Sequence, residues 1–132
     1  MPSTPWDAKQ IGEAPLVTAP DGSEVRVLCA MARGSMIRFS LKPNAVSRAV
    51  AHGTVEEIWY VTAGRGQLWR RFGDQEEVVE LSPGLSATIP TGVSFQFRND
   101  GATLLEIVAV TMPPWPGDGE AYPVAGKWEV AI

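Results

Sequence analysis

Short apolar runs of about four to eight residues, broken by turn residues, dominate the chain from residue 23 onward. In Glu57-Ile58-Trp59-Tyr60-Val61, positions 57, 59 and 61 fall on one face and 58 and 60 on the other, the two-residue period of a pleated strand. The pattern predicts strands at 24–31, 35–41, 46–52, 57–63, 66–72, 76–81, 86–90, 93–98 and 103–111. Between them stand Lys42-Pro43-Asn44, Gly64-Arg65-Gly66, Gly73-Asp74, Ser82-Pro83-Gly84, Pro90-Thr91-Gly92 and Asn99-Asp100-Gly101. These residue types fix φ or tolerate left-handed backbone, as turns require. No stretch of ten residues carries a helical period, and no internal repeat is present. Eight or nine short strands with turns every ~8–12 residues predict an all-β sandwich or barrel.

The two ends read differently from the middle. Residues 1–22 are an N-terminal arm with Pro2, Pro5, Pro15 and Pro20, in which Trp6 and Leu16 are available to pin the arm to a neighbouring surface. Asp21-Gly22 reads as the turn that opens the barrel, residues 23–112. Residues 113–132 are a Pro/Trp-rich tail: Pro and Gly interrupt it throughout, which excludes a strand or helix. Trp115, Tyr122 and Trp128 give the tail apolar anchors for packing on the barrel or on a partner subunit.

With 57, 59 and 61 facing inward, Ile58 and Tyr60 lie outside. Setting Thr62 opposite Gln67 across the Gly64-Arg65 turn pairs Tyr60 with Trp69. The outer apolar strip that results predicts a homodimer or cover from the N-terminal arm, with the dimer favoured, since a monomer rarely leaves such a strip in water.

Composition narrows the chemistry. A chain of 132 residues with 45% hydrophobic and 20% charged side chains suits one domain. A net charge of -4 argues against a nucleic-acid or anionic-membrane surface. No apolar run approaches the ~20 residues of a membrane span, and no signal-peptide pattern is found, so the expectation is a cytoplasmic protein. Cys29 is the single cysteine, which excludes an internal disulfide and a thiolate zinc cluster. It reads as a small buried hydrophobe. His52 is the single histidine, so no site can draw two imidazoles from one chain.

Seven positions carry a resemblance. His52, Glu57 and Gly64, then Gly84, Pro90, Gly92 and Asn99 lie at the spacing of the two motifs of the cupin superfamily. The chain resembles a small single-domain cupin of the conserved-barrel type over roughly residues 35–112, which implies a double-stranded β-helix, or jelly roll. A typical cupin holds a divalent metal through three histidines and one Glu. Here the first motif's first histidine falls on Val50, the second motif's histidine falls on Phe95, and Asn44 stands where the first motif opens with Gly. The resemblance therefore implies a degenerate metal site, with His52 and Glu57 the two remaining ligands. Fe, Mn, Ni or Zn suits that donor chemistry, but two protein ligands hold such ions weakly, so no cofactor is the leading expectation.

The cupin match makes His52 and Glu57 neighbours on adjacent strands. An imidazole with its pKa raised by a carboxylate would act as base or acid, with Glu57 as its orienter. The alternatives are a residual metal site and a buried structural pair. Trp59, Phe95 and Phe97 share inward parity, as does Met36 or an adjacent residue. They either wall a pocket for an apolar or ring-shaped ligand or simply fill a small barrel. Arg48, by parity, and Arg70, by hairpin register, are candidates for contacting a substrate anion. Three functions follow. The first is a small-molecule-binding cupin with metal-independent isomerase or lyase chemistry. The second is a metal-dependent isomerase or dioxygenase, and the third a ligand-binding or sensing module without turnover.

Overall fold

Alternating β-branched and aromatic positions build eleven strands in the computed structural model, which describes residues 4–132. Pro2 lies outside the described residues. The strands are β1 (Leu16–Thr18), β2 (Glu24–Met31), β3 (Gly34–Leu41), β4 (Val50–His52), β5 (Glu56–Ala63), β6 (Gly66–Phe72), β7 (Gln75–Leu81), β8 (Ser86–Ile89), β9 (Ser94–Asn99), β10 (Leu105–Met112) and β11 (Ala121–Pro123). A single 3-10 turn at Ile11–Glu13 is the one helical element among the described residues. Among the described residues, no helix is long and apolar enough to cross a membrane.

All pairing is antiparallel and forms two sheets, ordered β1-β2-β3-β10-β5-β8 and β11-β4-β9-β6-β7. The inward faces meet in one core. Phe39 and Trp59 of the first sheet pack edge-to-face on Phe97 of the second, with ring centroids 5.4 and 5.3 Å away, the geometry that the ring quadrupoles favour. Trp59 also meets Phe95 at 5.6 Å. This is the jelly-roll arrangement that the family resemblance implies.

Turn chemistry follows the sequence closely. Gly64 has φ +85°, and a Cβ there would lie 2.5 Å from the Leu104 carbonyl oxygen, so both the backbone and the space demand glycine. Asn44, in the place of the expected motif Gly, adopts φ 66°, a left-handed conformation that Asn tolerates better than most side chains. The buried Asn99 donates to the carbonyls of Leu41 and Thr103, each at 2.8 Å, and accepts from Gly101 N–H at 2.9 Å. It therefore ties three chain segments together.

Three expectations need correction. Tyr60 does not pair with Trp69, because the chain crosses from one sheet to the other at Gly64-Arg65: β5 pairs with β10 and β8, and β6 with β9 and β7. Tyr60 is exposed while Trp69 is buried. The predicted strand at 46–52 shortens to β4, with Val46 forming isolated bridges to Arg98 and Ala131. Finally, the tail does contain a strand. β11 pairs with β4 at the sheet edge, where Pro123 can end the ladder without leaving an unmet donor.

Gln96 fixes the rest of the tail: its Oε1 accepts from the N–H groups of Lys127 and Trp128, both at 2.9 Å. Its Nε2 donates to the carbonyl of Trp128 at 2.9 Å. The arm is held by β1–β2 pairing and by Arg26, which donates to the Ala14 carbonyl at 2.9 Å. Trp6 is exposed and Leu16 more than half so; neither pins the arm.

Candidate functional site

A cavity of about 370 Å³ opens at one end of the barrel. The arm contributes residues 17–21, the tail contributes Pro114, Trp115 and Asp118, and the barrel contributes Phe39, Val50, His52, Glu57, Trp59 and Phe95. Of the expected site residues, His52, Glu57, Trp59 and Phe95 line it together.

His52 ends β4 and Glu57 stands near the start of β5, so the short loop 53–55 carries the chain from one sheet to the other between them. Both face the same cavity from different sheets, and the expected imidazole–carboxylate bond is not made. Glu57 Oε1 instead accepts from Trp59 Nε1 at 2.9 Å. His52 Nδ1 is buried without a hydrogen-bond partner, and its ring sits between Phe95 and Trp115, at 5.2 and 5.4 Å.

Electrostatics follow the dry surroundings. Burial pushes His52 down to about 4, against a weaker upward pull from Glu120. The imidazole is neutral at pH 7, the reverse of the raised value expected beside a carboxylate. Burial pushes Glu57 up to about 7, opposed by the Trp59 bond and reinforced by the nearby negative charge of Asp21. At neutral pH its carboxyl is therefore poised between acid and carboxylate.

Arg48 and Arg70 are not in the cavity wall. Arg48 is exposed; its backbone N–H donates to the Asp21 carbonyl at 2.8 Å. Arg70 pairs with Glu77 and donates to the Thr88 carbonyl at 2.8 Å, because the β6 register turns it away from the interior. Phe97 is fully buried in the core behind the cavity. Met36 is exposed on the outside of β3, and Ile37 takes the inward place. No guanidinium lines the site, so the expected preference for an anionic substrate loses its basis.

Two carboxylates escaped sequence reasoning. Asp21 is buried and lines the cavity, where its Oδ1 accepts from Ser23 N–H at 2.9 Å and Ser23 Oγ at 2.7 Å. Burial raises it, and the Ser23 bonds and Arg48 offset part of that rise. Its Asp-Gly context signals only a turn. Glu120, in the tail, clamps the 53–55 loop: Oε1 accepts from Thr54 N–H at 2.6 Å and Val55 N–H at 2.5 Å, and Oε2 from the Thr54 hydroxyl at 2.8 Å. Burial alone would raise Glu120, but these bonds prevail and hold it below the usual carboxylate range.

Residues 37–111 match the family of cupin domains. The chain belongs to the cupin family. Curated and solved relatives fit this placement. The cupin is 30% identical over 83 residues to the xanthan biosynthesis protein XanB of Xanthomonas campestris pv. campestris, a stretch that covers 63% of this chain but 17% of that protein. It thus spans less than a fifth of the length of that relative. Among solved structures it resembles Pac13 from Streptomyces, described as a nucleoside dehydratase, with TM-score 0.71, 15% identity and 92% of each chain covered. It also resembles KdgF from Halomonas sp., with TM-score 0.71 and 14% identity over 84% of this cupin and 96% of that chain.

The family's metal can be tested against the donors present. Val50 and Phe95 stand where the motifs place imidazoles, and they are register partners across β4 and β9. Hydrocarbon side chains cannot ligate. Among the described residues no group of three or more His, Cys, Asp or Glu is arranged to hold an ion. The residues of this cupin do not fit the three-histidine metal, and no step below is derived through one.

Proposed function

We propose that this cupin binds a small organic molecule in the barrel cavity and moves a proton on it without a metal, in a reaction of isomerisation or elimination type. The observation that carries the reading is Glu57: a buried carboxyl in the cavity lining, with Oε1 held by Trp59 Nε1 and Oε2 without a donor among the described residues, which burial pushes upward to about 7. An acid–base group works best when its pKa lies near the operating pH. As carboxylate, Glu57 takes a proton from a substrate carbon. As the resulting acid, it returns that proton to a neighbouring carbon, or to a departing hydroxyl that leaves as water. His52, neutral and lining the same cavity with its ring against Phe95 and Trp115, orients the substrate from the wall. The roles of the pair are thus exchanged relative to the sequence reading. The likeness to a structure described as a nucleoside dehydratase supports only the fold's capacity for an elimination, because a shared fold does not carry function.

The test is deuterium exchange and turnover with candidate ligands found by screening. Glu57→Gln is expected to reduce turnover at saturating ligand by about 10²–10⁴-fold. Binding that persists in the native protein with no exchange or turnover of any bound ligand would leave a binding module instead.

A homodimer belongs to the same reading. Its support is the outer face of the six-stranded sheet, where Met36 and Ile58 flank Val110, and Tyr60 is the register partner of Val108. Met36, Ile58 and Tyr60 are exposed. An isologous pairing of two such faces would cover the strip with an identical one.

A further inference from the structure

The polar equipment of the cavity is one-sided. Asp21 and Glu57, both buried, reach it from the arm and from β5, and Asp118 stands exposed at the part formed by the tail. No Lys or Arg is in the wall. Asp21 uses only Oδ1 and Glu57 only Oε1 in bonds with the described residues, so each keeps one oxygen without a protein donor. Arg48 attracts Asp21 but is exposed and forms no part of the lining. The remaining wall combines aliphatic side chains and the hydroxyls of Thr18, Ser23 and Ser35 with the rings of Phe39, Trp59, Phe95 and Trp115. His52, 3% exposed and lining the same space, adds a neutral imidazole with an unmet Nδ1.

Two buried carboxyl groups in one cavity repel each other once both ionise, and burial penalises each charge. A cation placed between them removes both costs, and ring faces around it add attraction. A metal ion is a poor candidate, since the donors are not gathered as ligands. An organic cation with an apolar body satisfies the carboxyl groups and the rings together. We propose that the cavity selects a protonated amine: its ammonium group lies between Asp21 and Glu57, and its apolar or ring-shaped body lies among Trp59, Phe95 and Trp115. This rests on the proposed small-molecule site and names the class of molecule that it takes.

Three probes of similar shape separate the ideas: benzylamine, benzyl alcohol and benzoate, titrated at pH 7 against the full chain. Binding is read by calorimetry and by the fluorescence of Trp59 and Trp115. Benzylamine is expected to bind saturably and at least tenfold more tightly than benzyl alcohol, and benzoate more weakly than either. Asp21→Asn keeps an oxygen for the Ser23 bonds, and Glu57→Gln keeps one for Trp59, so both turns of structure survive. Each variant is expected to lower benzylamine affinity about tenfold and to leave benzyl alcohol within about twofold. Equal binding of amine and alcohol, or an amine affinity untouched by both variants, would overturn the amine assignment and leave the small-molecule cavity standing. Saturable binding of none of the three would overturn both.

Discussion

Glu57 and His52 sit a few residues apart, line one cavity and are pushed in opposite directions by the same cause. Burial disfavours charge, so the acid keeps its proton and the base refuses one. The consequence for stability has a definite sign. His52 has a folded pKa of about 4 against an ordinary 6.5, so between those values the unfolded chain binds more protons and acidification destabilises the fold. Glu57 has a folded pKa of about 7 against an ordinary 4.5. In that window the folded chain binds more protons, and its contribution is lost as pH rises. The two slopes oppose each other between about 4.5 and 6.5 and partly cancel in the native protein. Glu57→Gln is expected to expose the His52 slope, with stability against urea falling as pH drops from 6.5 to 4. His52→Gln is expected to expose the opposite slope, with stability falling as pH rises from 4.5 to 7. Identical pH profiles for the two variants would refute the assignment. Trp59→Phe removes the hydrogen bond that holds Glu57 down, so the Glu57 midpoint should move further upward.

At the scale of elements, the cavity is a joint product of barrel, arm and tail. Trp115 meets His52 at 5.4 Å, and its N–H donates to Ser35 Oγ at 3.1 Å. Glu120 fastens β11 and the 53–55 loop to each other. Glu120→Ala leaves the buried Val55 N–H and the Thr54 groups without their acceptor, which should cost on the order of 1–3 kcal/mol in denaturant unfolding. Faster amide exchange at Thr54 and Val55 should accompany it. Unchanged exchange there would show that the clamp is not what orders the loop.

Alternation made the strands themselves legible. The burial of β10 switches strictly from residue to residue, and β2, β6 and β9 fall within a residue or so of their expected bounds. Pairing was not legible, because β5 and β10 are joined by contacts between residues some fifty positions apart, and a Gly-x-Gly turn looks alike in a hairpin and between two sheets. β11 hid behind Pro123, whose missing N–H costs nothing on the free side of an edge. Asp21 hid for a related reason: an Asp-Gly pair signals a turn, and only the folded arm shows that this turn is buried against a cavity. His52 and Glu57 were found through motif spacing, yet their surroundings, the Trp59 bond to Glu57 and the Phe95 and Trp115 rings against His52, are set by three-dimensional packing alone.

For the whole molecule, the apolar strip across β3, β10 and β5 bears on assembly. Met36, Val110 and Ile58 form one row, and Arg38, Val108 and Tyr60 the next, a largely apolar face that would be costly to leave wet. Sedimentation equilibrium should give twice the chain mass of 14.2 kDa. Ile58→Glu with Tyr60→Glu should shift it to the monomer while far-ultraviolet circular dichroism stays unchanged. A native monomer at high protein concentration would remove the dimer from the account.

The account turns most directly on the charge state of Glu57. Carbon-13 NMR of the glutamate side-chain carboxyls, followed from pH 3 to 9 in the native protein and in Glu57→Gln, reads it without knowledge of the substrate. One glutamate carboxyl resonance is expected to titrate near 7 and to vanish in the variant. If no glutamate resonance titrates near 7, the cavity does not hold a proton-transfer group, and the proposed chemistry fails.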